Sequence, residues 1–195
     1  ALYEDSLHAT RAAIAEGIIY RTDKIAEPPR SYNDLLKEEY RGHVAFPNIT
    51  NGYGLDFLVM LARANGGGEN NIDPGFEALK KIRGETIFST TAEIATLFAQ
   101  NDIWILPYDV GNAFRLKQSG LPVAMSTPSE GSPAVFISSC IAKNSQNADV
   151  ASGVIDYMLR PESQVKIAEK MRYTPTNPDT VLPDELAKDV PSIKD

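Results

Sequence analysis

Cysteine occurs once in these 195 residues, tryptophan once and histidine twice. With Cys140 alone, no intrachain disulfide and no thiolate metal cluster can form. It lies in the apolar run 135–142, so a buried, inert thiol is expected there rather than a nucleophile. His8 and His43 belong to no His-Glu-x-x-His arrangement and stand at no zinc spacing from cysteines, so neither a metal nor another cofactor is expected. No apolar stretch reaches the ~18–20 residues that span a bilayer, so no direct membrane insertion is expected. Nor does a signal-peptide pattern open the chain. Its first residues are amphiphilic and punctuated by charge, which suggests the interior of a longer protein. Basic residues are in deficit, with 19 Lys and Arg against 26 Asp and Glu, a net charge of −7. That balance argues against nucleic acid or an anionic membrane as partner.

Catalytic signatures are also missing. The glycine-rich stretch 65–70 has neither the Gly-x-x-x-x-Gly-Lys-Ser/Thr order nor the Gly-x-Gly-x-x-Gly order, and it follows a helical pattern. It is therefore a helix end and a loop. Gly131-Ser132-Pro133 does not supply the Gly-x-Ser-x-Gly of a serine hydrolase. Carboxylates are plentiful, but no pair stands out as an acid/base couple.

What is present is the material of an α/β domain. Hydrophobic residues make up 43% and charged residues 23%, enough for an ordinary core. Residues 2–15 read as loop or helix, and 13–20 as a strand. Ser31 and Asp34 form a capping-box pattern that predicts a short helix over 32–38. A strand follows at 43–46. Leu55, Leu58, Val59, Leu61 and Ala62 recur at helical spacing. Asp73 is expected to cap the next helix, with Pro74 in its first turn and Gly84 at its end. Thr90 and Glu93 predict a second capping box, opening a helix over 91–99. A strand at 103–106, a helix at 109–117, and strands at 121–126 and 135–142 come next. Asn147 is expected to cap a helix to about Leu159, and Pro161 opens another to about Met171. Helices alternating with short apolar strands indicate an α/β fold. The polar, proline-bearing stretch 127–133 is the expected crossing between lobes.

Two strand-to-helix connections have the chemistry of a ligand edge. In the first, Asn48, Thr50 and Asn51 offer short polar groups and Tyr53 an aromatic wall, before a helix whose first N–H groups are unpaired. In the second, Tyr108 and Asp109 offer one ring and one charge. Ser89 lies in a similar position before the helix at 91. Open α/β sheets bind ligands at the carboxyl ends of their strands. The alternative in each case is an ordinary helix cap with exposed neighbours, and capping and binding can coexist.

Two longer phrases carry a resemblance. Residues 31–47 read Ser-Tyr-Asn-Asp-Leu-Leu-Lys-Glu-Glu-Tyr-Arg-Gly-His-Val-Ala-Phe-Pro, and 157–178 run through Leu-Arg-Pro-Glu to Tyr-Thr-Pro-Thr-Asn-Pro. With Gly17-Ile18-Ile19-Tyr20, Gly120-Leu121-Pro122 and Glu130-Gly131 between them, the ordered set resembles the solute-binding proteins of bacterial ABC importers, most closely the spermidine/putrescine type. The resemblance covers residues 13–190. It implies a two-lobed periplasmic-binding-protein-like fold with the solute in the cleft between lobes. One lobe would be complete here and the other a remnant, because the chain looks like it lacks the family's N-terminal portion. The implied division is 1–20 as remnant and hinge strand, 21–130 as the second α/β lobe, and 131–195 as hinge and C-terminal part of the first lobe.

The implied function is capture of a small organic solute, an amine, amino-acid-like molecule or relative, for delivery to ABC permease membrane subunits. The implied place is the periplasm, or outside the cell on a lipid anchor. No chemistry on the solute is expected. The rival readings are a ligand-sensing module for a receptor and an enzyme on the same architecture. The expected ligand-binding set is Asn48, Thr50, Asn51, Tyr53, Ser89, Tyr108, Asp109 and Phe136. The polyamine binders' tryptophan and aspartate fall at Val135 and Ile137, and their acidic turn reads here as Asn48 to Gly52. With Asp109 as the one evident carboxylate, the set suits a neutral, zwitterionic or singly charged solute over spermidine or putrescine.

Overall fold

The computed structural model describes residues 8–82 and 85–192. They form two compact units. The larger is Glu16–Pro133, and the smaller combines the described residues before Glu16 with those after Pro133. The chain passes from one to the other within strand β1 (His8–Arg21) and again at Pro133.

In the larger unit, β1 leads through a 3-10 turn at Tyr32–Leu36 to β2 (Ala45–Pro47), α1 (Gly52–Ala64), α2 (Asp73–Leu79), β3 (Thr86–Phe88) and α3 (Thr91–Ala99). Then come β4 (Ile105–Asp109), α4 (Val110–Gln118) and β5 (Val123–Ser126). β2 and β3 are parallel, and a parallel bridge between Val44 and Ile105 joins β2 to β4. β1 runs antiparallel to both β4 and β5. The strand order is therefore β3, β2, β4, β1, β5.

Side chains alternate across the strands, so each face carries its own core. Ile18, Tyr20, Val44, Phe46 and Ile105 pack with Tyr32, Leu35 and the α1 residues Phe57, Met60 and Leu61. On the opposite face Ile19, Ala45, Leu106 and Tyr108 pack with Ile94 and Phe98 of α3 and Leu116 of α4. A sheet covered on both faces needs strands apolar on both sides, which Gly-Ile-Ile-Tyr and Ile-Trp-Ile-Leu supply. Gly75 allows α2 to lie against α1, since a Cβ there would stand 2.7 Å from Leu58 O.

In the smaller unit the first part of β1 pairs antiparallel with β6 (Ala134–Cys140), with a bulge at Thr10–Ala12. Three helices follow: α5 (Ala148–Leu159), α6 (Pro161–Met171) and the short α7 (Asp184–Ala187). The buried Gln164 of α6 ties this unit together. Its amide donates to Arg11 O at 3.2 Å, while its oxygen accepts from the N–H groups of Thr176 and Asn177 at 2.8 and 2.9 Å. The phrase Tyr-Thr-Pro-Thr-Asn-Pro is thus a structural strap, pinned at Thr174 to Ala13 and at Asn177 to Leu159 O.

Several expectations need correction. The first helix is a 3-10 turn, although its capping box forms as expected. β1 begins at His8, so its first half is neither loop nor helix; residues 1–7 lie outside the described residues. Asp73 is the first residue of α2 and Ile72 occupies the cap; Gly84 lies outside the described residues. At α3 only half of the box forms. Glu93 accepts from Ser89 N–H and from the Thr90 hydroxyl, but Thr90 does not cap. Asn147 takes the cap position of α5 without a side-chain hydrogen bond. β4 is shifted, ending at Asp109 instead of Leu106. Cys140 is exposed, because residues of β6 alternate between half-buried and exposed and Cys140 falls on the exposed face.

Candidate functional site

The parallel strands β2, β3 and β4 each end at the start of a helix: β2 before α1, β3 before α3, β4 before α4. Three helix N-termini, each with unpaired N–H groups and partial positive charge, therefore lie along one edge of the larger unit's sheet. Seven of the eight expected residues fall on these connections. Phe136 does not: it sits on β6 in the smaller unit, exposed, with Ala13 as its strand partner.

In the β2–α1 connection, Asn48 Oδ1 accepts from the Thr50 N–H at 3.0 Å and from its hydroxyl at 2.9 Å. Asn51 caps α1, its Oδ1 accepting from Tyr53 N–H at 3.2 Å. The connection folds back onto the first turn of α1, where a Cβ on Gly54 would meet Asn48 C and Pro47 O at 2.8 Å. Only glycine fits this close approach. Tyr53 then leans on Tyr108 with ring centroids 4.5 Å apart. Phe88, from the end of β3, meets the same Tyr108 ring edge-on at 5.4 Å. The Tyr108 hydroxyl reaches Thr91 Oγ1 at 3.1 Å. Tyr108 thus links the three connections; its hydroxyl is harder to ionise than usual, chiefly because of burial. Ser89 is exposed and spends its N–H on Glu93.

Asp109 is buried and caps α4. Its Oδ1 accepts from Asn112 N–H at 2.9 Å and its Oδ2 from the Asn112 amide at 2.5 Å. Both oxygens are engaged within the protein, so the residue is as much a structural cap as a counter-charge.

Two acids that the sequence did not single out complete the edge. Antiparallel pairing places Glu16 of β1 opposite Asp109. Glu16 shares the face of β1 that carries Ile18 and Tyr20, the face against α1 and Tyr32. It is only 3% exposed, and Asp56 of α1 acts on it along with Asp109. Among the described residues no N–H or O–H donates to its Oε1. Burial, then the hydrogen bond to Asp56, then the negative charges of Asp56 and Asp109 push its pKa up to about 9. At neutral pH Glu16 is therefore a neutral acid. The sequence signal was weak: an acid between Ala15 and Gly17 in a strand reads as a solvent-facing position until the partner strand and α1 are known.

Among the described residues no three His, Cys, Asp or Glu side chains form a metal-holding group. No helix among them is long and apolar enough to cross a membrane.

Comparison with known proteins agrees with this architecture. The profile of the family described as bacterial extracellular solute-binding protein matches residues 12–194. The spermidine/putrescine-binding periplasmic protein of Escherichia coli (strain K12) is 26% identical over 152 residues, 75% of this chain and 42% of that protein. The chain thus spans about two fifths of the length of that relative. Among solved structures, the spermidine/putrescine ABC transporter substrate-binding protein PotD of Streptococcus pneumoniae superposes with a TM-score of 0.77 at 22% identity, over 93% of this chain and 57% of that one. The binding protein AgtB of A. tumefaciens R10, solved with agropinic acid, gives 0.79 at 17% identity, over 98% and 62%. These likenesses establish the α/β binding-protein fold.

Proposed function

Because this chain belongs to the bacterial extracellular solute-binding proteins, we propose that it captures a small organic solute and passes it to the membrane subunits of an ABC importer. Capture takes place in the periplasm, or outside the cell on a lipid anchor, and leaves the solute chemically unchanged. The observation that carries this reading is the convergence of the α1, α3 and α4 N-termini on one sheet edge, around the tilted ring pair of Tyr53 and Tyr108. Rings give a flat solute an apolar wall, while unpaired N–H groups and the side chains of Asn48, Thr50, Asn51 and Ser89 offer hydrogen bonds. The E. coli relative is a spermidine/putrescine binder by name, which supports an amine or amino-acid-like solute.

Thermal-shift screening with amines, amino acids and organic acids should yield at least one stabilising solute. Calorimetry should then show that Asn51→Ala and Tyr108→Ala each weaken it by on the order of 1–3 kcal/mol, the range for a lost buried hydrogen bond. Full affinity in the double variant would place the site elsewhere.

A further inference from the structure

Two rings and one hydroxyl hold Tyr108. Tyr53 leans on its ring at 47° with centroids 4.5 Å apart, and Phe88 meets it edge-on at 5.4 Å. Packing thus fixes the ring, which is only 3% exposed. One freedom remains, the rotation of the O–H bond about the C–O axis. Thr91 governs it. Its Oγ1 lies 3.1 Å from the Tyr108 oxygen, and among the described residues it is the hydroxyl's one hydrogen-bond partner. Thr91 is exposed and opens α3, so no helical carbonyl four residues back competes for its hydroxyl. The hydroxyl of the neighbouring Thr90 is spent on Glu93. Two hydroxyls bring two protons, and the bond between them uses one. The other proton has no acceptor among the described residues.

We propose that Thr91 is a positioning residue for solute capture: its hydroxyl sets the direction of the Tyr108 hydroxyl, which donates to an oxygen acceptor of the solute. This deepens the solute-capture reading and rests on it. Without solute, the buried phenol donates to Thr91, and the Thr91 proton faces water. When a carboxylate or carbonyl oxygen arrives, the pair turns over. Thr91 then donates to Tyr108, and Tyr108 donates to the solute. Each oxygen keeps its own proton, so only the direction of the bond changes. A phenol is a stronger acid than an aliphatic alcohol and hence the stronger donor, and accepting a bond from Thr91 strengthens it further. A solute that brings only donors gains nothing from the turnover. The pair therefore favours amino-acid-like solutes over simple amines.

Carbon NMR of labelled tyrosine, with the Tyr108 ζ carbon assigned by Tyr108→Phe, tests the pair on the whole chain without solute. Thr91→Val keeps the shape and removes the hydroxyl, so it should shift that signal, while Thr91→Ser should leave it in place. An unmoved signal in Thr91→Val overturns the proposal. Calorimetry with γ-aminobutyrate then reads the effect on capture. Thr91→Val should weaken binding about fivefold, within the range of one hydrogen bond, and Thr91→Ser should restore it. In a Tyr108→Phe background Thr91→Val should change nothing further, because Thr91 acts through the phenol. An equal loss in both backgrounds overturns positioning. n-Butylamine, which lacks the acceptor, should bind wild type and Thr91→Val alike; a loss there as large as for γ-aminobutyrate also overturns it. If γ-aminobutyrate moves the Tyr53 and Tyr108 signals and Thr91→Val leaves its affinity unchanged, this inference falls while solute capture stands. If it moves neither signal, the placement of the site falls as well.

Discussion

Glu16 is a buried acid of the larger unit, and its burial makes a prediction about stability that needs no ligand. Its pKa is near 9 in the folded chain, against 4.5 for an ordinary glutamate. The folded state holds the proton more tightly, so the stabilisation is complete below about pH 4.5 and is lost as pH rises toward 9. Wild-type stability should thus fall by up to ~1.4 kcal/mol per pH unit through that window relative to Glu16→Gln, which stays neutral. Urea denaturation of both proteins at several pH values checks this; parallel curves would contradict it. Cys140, Glu16 and Asp109 show what single residues conceal. Cys140 sits in an apolar run and is exposed; Glu16 is charged in sequence and is buried. Side-chain identity gives a preference for burial, but the partner strand decides it. Asp109 was legible as a cap because a cap is local.

At the scale of elements, the readable parts were those set by a few neighbouring residues. The apolar period of α1, the proline start of α6 and the Ser31–Asp34 box all appear where spacing places them. Strand ends were less legible: β4 runs to Asp109 because Glu16 and Tyr108's neighbours in β1 extend the ladder, a long-range fact. The candidate edge was legible in part for the same reason. Its helix caps are local, whereas the pairing that sets Glu16 of β1 opposite Asp109 of β4 joins strands far apart in sequence. The strap around Gln164 yields a prediction at this scale. Gln164→Leu keeps the volume but leaves the N–H groups of Thr176 and Asn177 and the Arg11 carbonyl without partners. Unmade buried bonds of this kind cost ~1–3 kcal/mol each before relaxation, so a loss on the order of 2–4 kcal/mol is expected. Hydrogen exchange should show it first at Ala13 and Thr174, which the strap holds together.

For the molecule as a whole, the two units differ in how completely they bury their elements. The larger unit has helices on both sheet faces. In the smaller unit no residue of α5 is buried, and Val150, Val154 and Tyr157 follow one another on a single helical stripe, each more than half exposed. Phe136 on β6 is equally open. Contiguous apolar surface of this kind is covered in stable proteins. Related structures extend well beyond the length matched here, of which this chain covers 57–62%. Additional chain of that kind is the cover we expect in a longer protein. For these 195 residues alone, a second copy should serve instead. Sedimentation velocity should therefore show association rising with concentration, and Val154→Lys, which places a charge in the middle of the stripe, should suppress it. Because Cys140 is exposed on the same unit, its alkylation by iodoacetamide should proceed without denaturant and report on the contact. A chain that stays monomeric at high concentration, with the Val154→Lys variant indistinguishable from it, would mean that α5 needs no cover.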